Sequence, residues 1–128
     1  MIENLVVSEF AETWLEDGLV IQVLNQRFAI VNLEMALQLI KDRKSASAGA
    51  PKRPVLVDVG NVIDTDKDAK RYYREEGPYV NISAIAIVTD NFIALAVGSI
   101  VFKLKKNPVP VEFFNDRNKA KRWLNKFK

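Results

Sequence analysis

Apolar and polar positions along the chain alternate between a strand rhythm and a helix rhythm. In TWLEDGLVIQV (residues 13–23), β-favouring residues flank Asp17-Gly18, a dipeptide suited to the positive φ angles of a two-residue hairpin turn. The pattern predicts a β-hairpin there, with LVVSEF (5–10) extending its first strand. Behind Asn32, a residue able to cap a helix, Leu33, Ala36, Leu37 and Ile40 recur at helical spacing. KSASAGAPKRP (44–54) is small, polar and Pro-bearing, and predicts a loop.

VLVDV (55–59) and ISAIAIV (82–88) are short, nearly continuous apolar runs. Such runs suit central strands covered on both faces. Between them, DKDAKRYYREE (66–76) predicts a helix stopped at Gly77-Pro78. A further helix over 91–104 is expected, capped by Asp90 and ended before Asn107-Pro108. VEFF (111–114) predicts a short strand, with Pro110 favouring an edge or a strand start. Ala120, Trp123, Leu124 and Phe127 then give the buried stripe of a last helix.

This order predicts one α/β domain over 1–128: a single mixed β-sheet opened by a hairpin, with alternating helices packed on it. The loop after VLVDV would lie at the carboxyl edge of the sheet, where such folds place their sites.

Composition narrows the chemistry. With 128 residues, 48% hydrophobic and 27% charged, the chain reads as a soluble globular protein. It has no cysteine and no histidine. Thiol nucleophiles, disulfides, the usual zinc sites and imidazole acid–base chemistry are thereby excluded. The start, MIENLVVSEF, has neither a basic region nor a long apolar core, and no apolar run is long enough to span a bilayer. A cytoplasmic protein without a membrane span is expected.

The net charge of +3 is uneven: residues 103–128 hold nine Lys/Arg against two acids. A basic tail raises nucleic acid or anionic lipid as partners. However, Lys103, Lys105 and Lys106 suit a helix C-terminus, and Trp123 and Phe127 are better used as core than as stacking platforms. No nucleic-acid role is expected.

The stretch VIDTDKDA (62–69) admits three readings. Asp64, Asp66, Asp68 and Glu75 stand at positions 1, 3, 5 and 12 of an EF-hand loop. Ala69 stands where that loop needs glycine, Arg71 replaces an apolar residue, and a strand precedes it instead of a helix. Neither a metal nor another cofactor is therefore expected. In the second reading, Thr65 caps a helix with Asp68 at its third position, and the acids complement the helix dipole.

The third reading is a resemblance. A strand ending in Asp58, with Val62 and Asp66 following at the same spacing, resembles the signature of STAS domains, the fold of bacterial anti-sigma-factor antagonists. The W-L-E-D-G hairpin, the L-V-D-V strand and the P-V-P strand before a W-L helix also resemble a group of small uncharacterised bacterial STAS-like proteins, structurally close to lipid-binding CRAL-TRIO domains. The resemblance implies a STAS-like fold and a non-enzymatic regulatory or protein-interaction module. The antagonists carry a phosphorylatable serine where this chain has Lys67-Asp68. Asp68 already holds a negative charge and cannot be switched by phosphorylation. Thr65 is the only hydroxyl nearby. The expected contact surface for a protein partner is Asn61, Asp64, Thr65, Asp66 and Asp68.

A second surface is expected on the apolar helix, where Phe92, Leu95, Val97 and Val101 leave little polar face. It would serve a second copy, as a homodimer, or a small apolar or lipid-like ligand. Tyr72, Tyr73 and Tyr79 could suggest acid–base chemistry, but Tyr72 and Tyr73 are read as straddling the core boundary of their helix with wet hydroxyls. No catalytic constellation is present in the sequence.

Overall fold

The Asp17-Gly18 turn forms as expected, with φ of +52° and +81° at its two residues. Both angles are positive, as a type I′ hairpin requires. The computed structural model describes residues 2–49, 52–62, 64–91, 93, 95–96 and 107–128. Its strands are β1 (Ile2–Val7), β2 (Ala11–Glu16), β3 (Leu19–Leu24), β4 (Ile30–Val31), β5 (Arg53–Gly60), β6 (Asp64–Thr65), β7 (Ile82–Thr89) and β8 (Val111–Phe114). The helices are α1 (Leu33–Ala46), α2 (Lys67–Tyr72) and α3 (Arg117–Leu124).

Six strands form one mixed sheet in the order β1-β2-β3-β5-β7-β8. β1, β2 and β3 pair antiparallel, while β3, β5, β7 and β8 run parallel. Successive side chains of a strand point to opposite faces, and the two cores follow that alternation. Val20, Val55, Val57 and Ile85 join Met35, Ala36 and Leu39 of α1 on one face. Leu19, Ile21, Leu56, Ala84 and Ala86 join Ala120 and Leu124 of α3 on the other. The small side chains of Ala84, Ala86 and Ala120, all fully buried, let α3 lie close to the sheet. VLVDV and ISAIAIV are thus central strands covered on both sides.

Several local expectations are corrected. LVVSEF does not extend the hairpin: Ser8 N–H bonds to the Ala11 carbonyl (3.0 Å), and the chain turns there to make β1 a separate edge strand. α1 is capped by Asn32, whose side chain accepts from Met35 N–H (2.9 Å), but it buries Met35, Ala36, Leu39 and Ile40. Leu33 and Leu37 are exposed. α1 also runs on to Ala46, into the expected loop. α2 stops at Tyr72, and Gly77-Pro78 opens a separate 3₁₀ turn, Gly77–Tyr79. Beyond β7, Asn91 replaces Asp90 as the capping residue: its Oδ1 accepts from Ile93 N–H (2.9 Å), and its carbonyl accepts from Leu95 N–H (2.9 Å). Of the apolar helix surface, Phe92, Val97 and Val101 lie outside the described residues, and Leu95 is half-buried. Lys103, Lys105 and Lys106 also lie outside them.

Candidate functional site

The carboxyl edge of the parallel strands is built around the end of β5. Asp58 Oδ1 accepts from Gly60 N–H (3.0 Å), and its Oδ2 accepts from Arg117 Nε at 2.6 Å. One carboxylate therefore fixes the strand end and ties it to the first residue of α3. Gly60 has φ +53°, and a Cβ there would collide with the Gln26 amide. That amide closes the corner: Gln26 Oε1 accepts from Asn61 N–H (2.7 Å), while its Nε2 donates to the Leu24 carbonyl (3.1 Å). The Gly60 carbonyl accepts from Asp90 N–H (2.9 Å) and holds the ends of β5 and β7 together.

From this corner Val62 dips into the core, and the chain returns to the surface as β6. β6 pairs in parallel with β4, setting Ile30 opposite Asp64 and Val31 opposite Thr65. Asp66 N–H bonds to the Val31 carbonyl (2.8 Å). Thr65 is held in this ladder, so it does not cap the helix. The N-cap of α2 is Asp66, whose side chain accepts from Ala69 N–H (2.9 Å). Asp68 becomes the second residue of the helix, exposed beside its N-terminus.

Asn61, Asp64, Thr65, Asp66 and Asp68 thus follow one edge but serve different ends. Asp64 Oδ1 accepts from Thr65 N–H (2.7 Å) and pairs with Lys70 Nζ at 3.3 Å. The Thr65 amide, and then the Lys70 ammonium, hold its carboxyl below the ordinary 3.8. Asp66 is committed to its cap. Asn61 and Asp68 present exposed side chains. The aspartates of the alternating run diverge, and among the described residues no three potential ligands gather as a metal site would need.

Sequence reasoning missed five contributors. Ile30 is 50% exposed although apolar, and it stands on the ladder beside Asp64. Leu33 and Leu37 are exposed on α1, which follows β4 directly, four residues apart on one side of the helix. Gln26 and Arg117 support the corner from distant parts of the chain, and no local pattern marks them. Tyr72, Tyr73 and Tyr79 are half-buried against the core; burial pushes their phenols up, and Tyr79 Oη donates to the Tyr73 carbonyl (2.6 Å).

Among the described residues no helix is long and apolar enough to cross a membrane. The fold is similar to that of an uncharacterised DUF3478-family protein with a SpoIIAA-like fold from Shewanella loihica PV-4. The TM-score is 0.60 and the identity 18%, over 97% of this chain and 92% of that one. SpoIIAA-like architecture is the STAS-like architecture, so the expected fold is the observed one. No curated protein matches the chain. The family model described as a domain of unknown function, DUF7793, matches residues 13–128, and the chain belongs to that family.

Proposed function

We propose that this protein is a cytoplasmic, non-enzymatic STAS-like interaction module, a single domain that binds a protein partner at the carboxyl edge of its sheet. The observation that carries the reading is the pairing of Ile30 with Asp64. It places exposed Ile30 beside Asp64, on the edge that also carries the exposed Asp68, while Leu33 and Leu37 stand exposed on α1, which follows β4 directly. Exposed apolar surface rimmed by polar residues marks interaction sites. The rim favours a partner whose apolar contacts are flanked by Lys or Arg.

The Asp58–Gly60–Gln26 corner supports the reading because it holds the edge in one conformation before anything binds, which reduces the ordering cost of association. Lys67-Asp68 at the start of α2 supports an unswitched module: a fixed charge stands where a phosphorylatable hydroxyl would be needed.

The test is association measured on Leu37→Glu and Asp68→Lys. Both positions are exposed, so folding should be retained and affinity-purified partners, or self-association in sedimentation velocity, should diminish relative to wild type. Undiminished association in both folded variants would refute the reading.

A further inference from the structure

The opposite, amino-terminal end of the parallel strands carries a cavity of about 250 Å³ between the last turns of α1 and the starts of β5 and β7. Three cations line it: Arg43, Lys44 and Arg53. Ser47 and Asn81 add polar groups, while Ile40, Val55 and Pro78 form apolar wall. Among the described residues no acidic side chain lines it.

Arg43 is the unusual member. It is only 8% exposed, and burial lowers its pKa. Its Nε donates to Gln22 Oε1 at 2.8 Å. Gln22 is itself fully buried and fixed, because its Nε2 donates to Thr13 Oγ1 and to the Leu39 carbonyl, each at 3.0 Å. The network uses one of the five guanidinium donors. Among the described residues no carboxylate pairs with Arg43. A buried cation without a counter-charge is costly. Here it is clamped by a fully satisfied amide and lines a cavity whose other charges are also positive. Lys44 is exposed at the mouth, and Arg53 is anchored through its Nε to the Ser47 carbonyl (3.3 Å).

We propose that this cavity binds a small oxyanion of the phosphomonoester class, with Arg43 as the buried anchor and Lys44 as the rim cation. A guanidinium offers planar, paired donors that match phosphate oxygens. The volume lies below the roughly 300–1,000 Å³ typical of drug-sized ligands, so it suits a phosphate with a small apolar substituent against Ile40, Val55 and Pro78. The phosphate is either that of a soluble metabolite or that of a lipid headgroup.

The test is calorimetric titration of the full chain with inorganic phosphate and with phenyl phosphate, in chloride buffer at constant ionic strength. Co-sedimentation with phosphatidic-acid vesicles, against phosphatidylcholine vesicles, provides the lipid arm. Saturable binding of phenyl phosphate, tighter than that of phosphate, assigns a soluble ligand. Co-sedimentation with phosphatidic acid alone assigns a headgroup. In either case Arg43→Met should weaken binding roughly ten- to a hundredfold, and Lys44→Ala should weaken it to a smaller degree. Arg43→Met keeps nearly the same volume and removes the buried charge, at the cost of the donor to Gln22 Oε1; Lys44→Ala lies at the surface and tests the site independently of that cost. No binding in any arm, or binding unchanged in both variants, would overturn the proposal.

Discussion

Gly60 and Gln26 are fitted to one another. The Gln26 side chain fills the space a Cβ at Gly60 would need, and the same amide accepts the Asn61 N–H at 2.7 Å. Gly60 also has a positive φ of +53°. Gly60→Ala should therefore cost about 1–3 kcal/mol through backbone strain and displacement of Gln26. Urea denaturation checks this; a variant as stable as wild type would show that the corner is not fixed by this contact.

Gly18 isolates the backbone contribution. A Cβ there meets only Arg53 Nη1 at 3.9 Å and Lys128 Cε at 4.0 Å, ordinary contacts, while φ is +81°. Gly18→Val should lose about 1 kcal/mol or more from strain alone. A melting temperature equal to that of wild type would contradict the turn geometry.

Much of the fold is legible in the sequence because it is set locally. Asp17-Gly18 marks the hairpin, the two apolar runs mark the central strands, and Asn32 marks the start of α1. What was not legible depends on distant partners. Leu33 and Leu37 share α1 with Met35, Ala36, Leu39 and Ile40, and periodicity alone does not say which of two apolar faces meets the sheet. Thr65 and Asp66 are both good capping residues; the β4–β6 ladder decides between them by drawing Thr65 into a strand. The acidic edge was visible as a run of aspartates, but its apolar half, Ile30, is brought to it only by that pairing. Arg43 gave no signal at all, because its partner Gln22 lies 21 residues away.

The acid limb of stability should report on Glu16. The Lys121 ammonium (2.9 Å) and the Trp14 indole N–H (3.2 Å) hold its carboxyl below the ordinary 4.5. A carboxylate depressed in the folded state contributes fully above its unfolded value, and that contribution is lost as pH falls through the folded one. Glu16→Gln should therefore flatten the fall in stability below pH 4.5. Asp64 and Asp116 are lowered in the same direction, so the limb should flatten without vanishing. An acid limb identical to that of wild type would contradict the Glu16 contacts.

Asp66 and Asp68 should separate structure from recognition. Asp66→Ala removes the α2 cap and should cost about 0.5–2 kcal/mol, whereas Asp66→Asn retains a capping oxygen and should cost little. Asp68→Asn should stay within about 0.5 kcal/mol of wild type, as an exposed substitution, yet weaken association through the lost rim charge. Equal stability losses at both positions would remove the distinction between a capping and a recognition aspartate.

The central claim is that the Ile30–Asp64 edge is the contact surface. The most direct measurement is site-specific photo-crosslinking in cells, with a benzophenone amino acid installed at Leu37 or Asp68, and at exposed Lys126 on the turn after α3 as control. The account predicts discrete protein adducts from Leu37 and Asp68 and none from Lys126, an adduct of twice the chain mass identifying a second copy as the partner. Adducts from Lys126 alone, or none from either edge position, would contradict it.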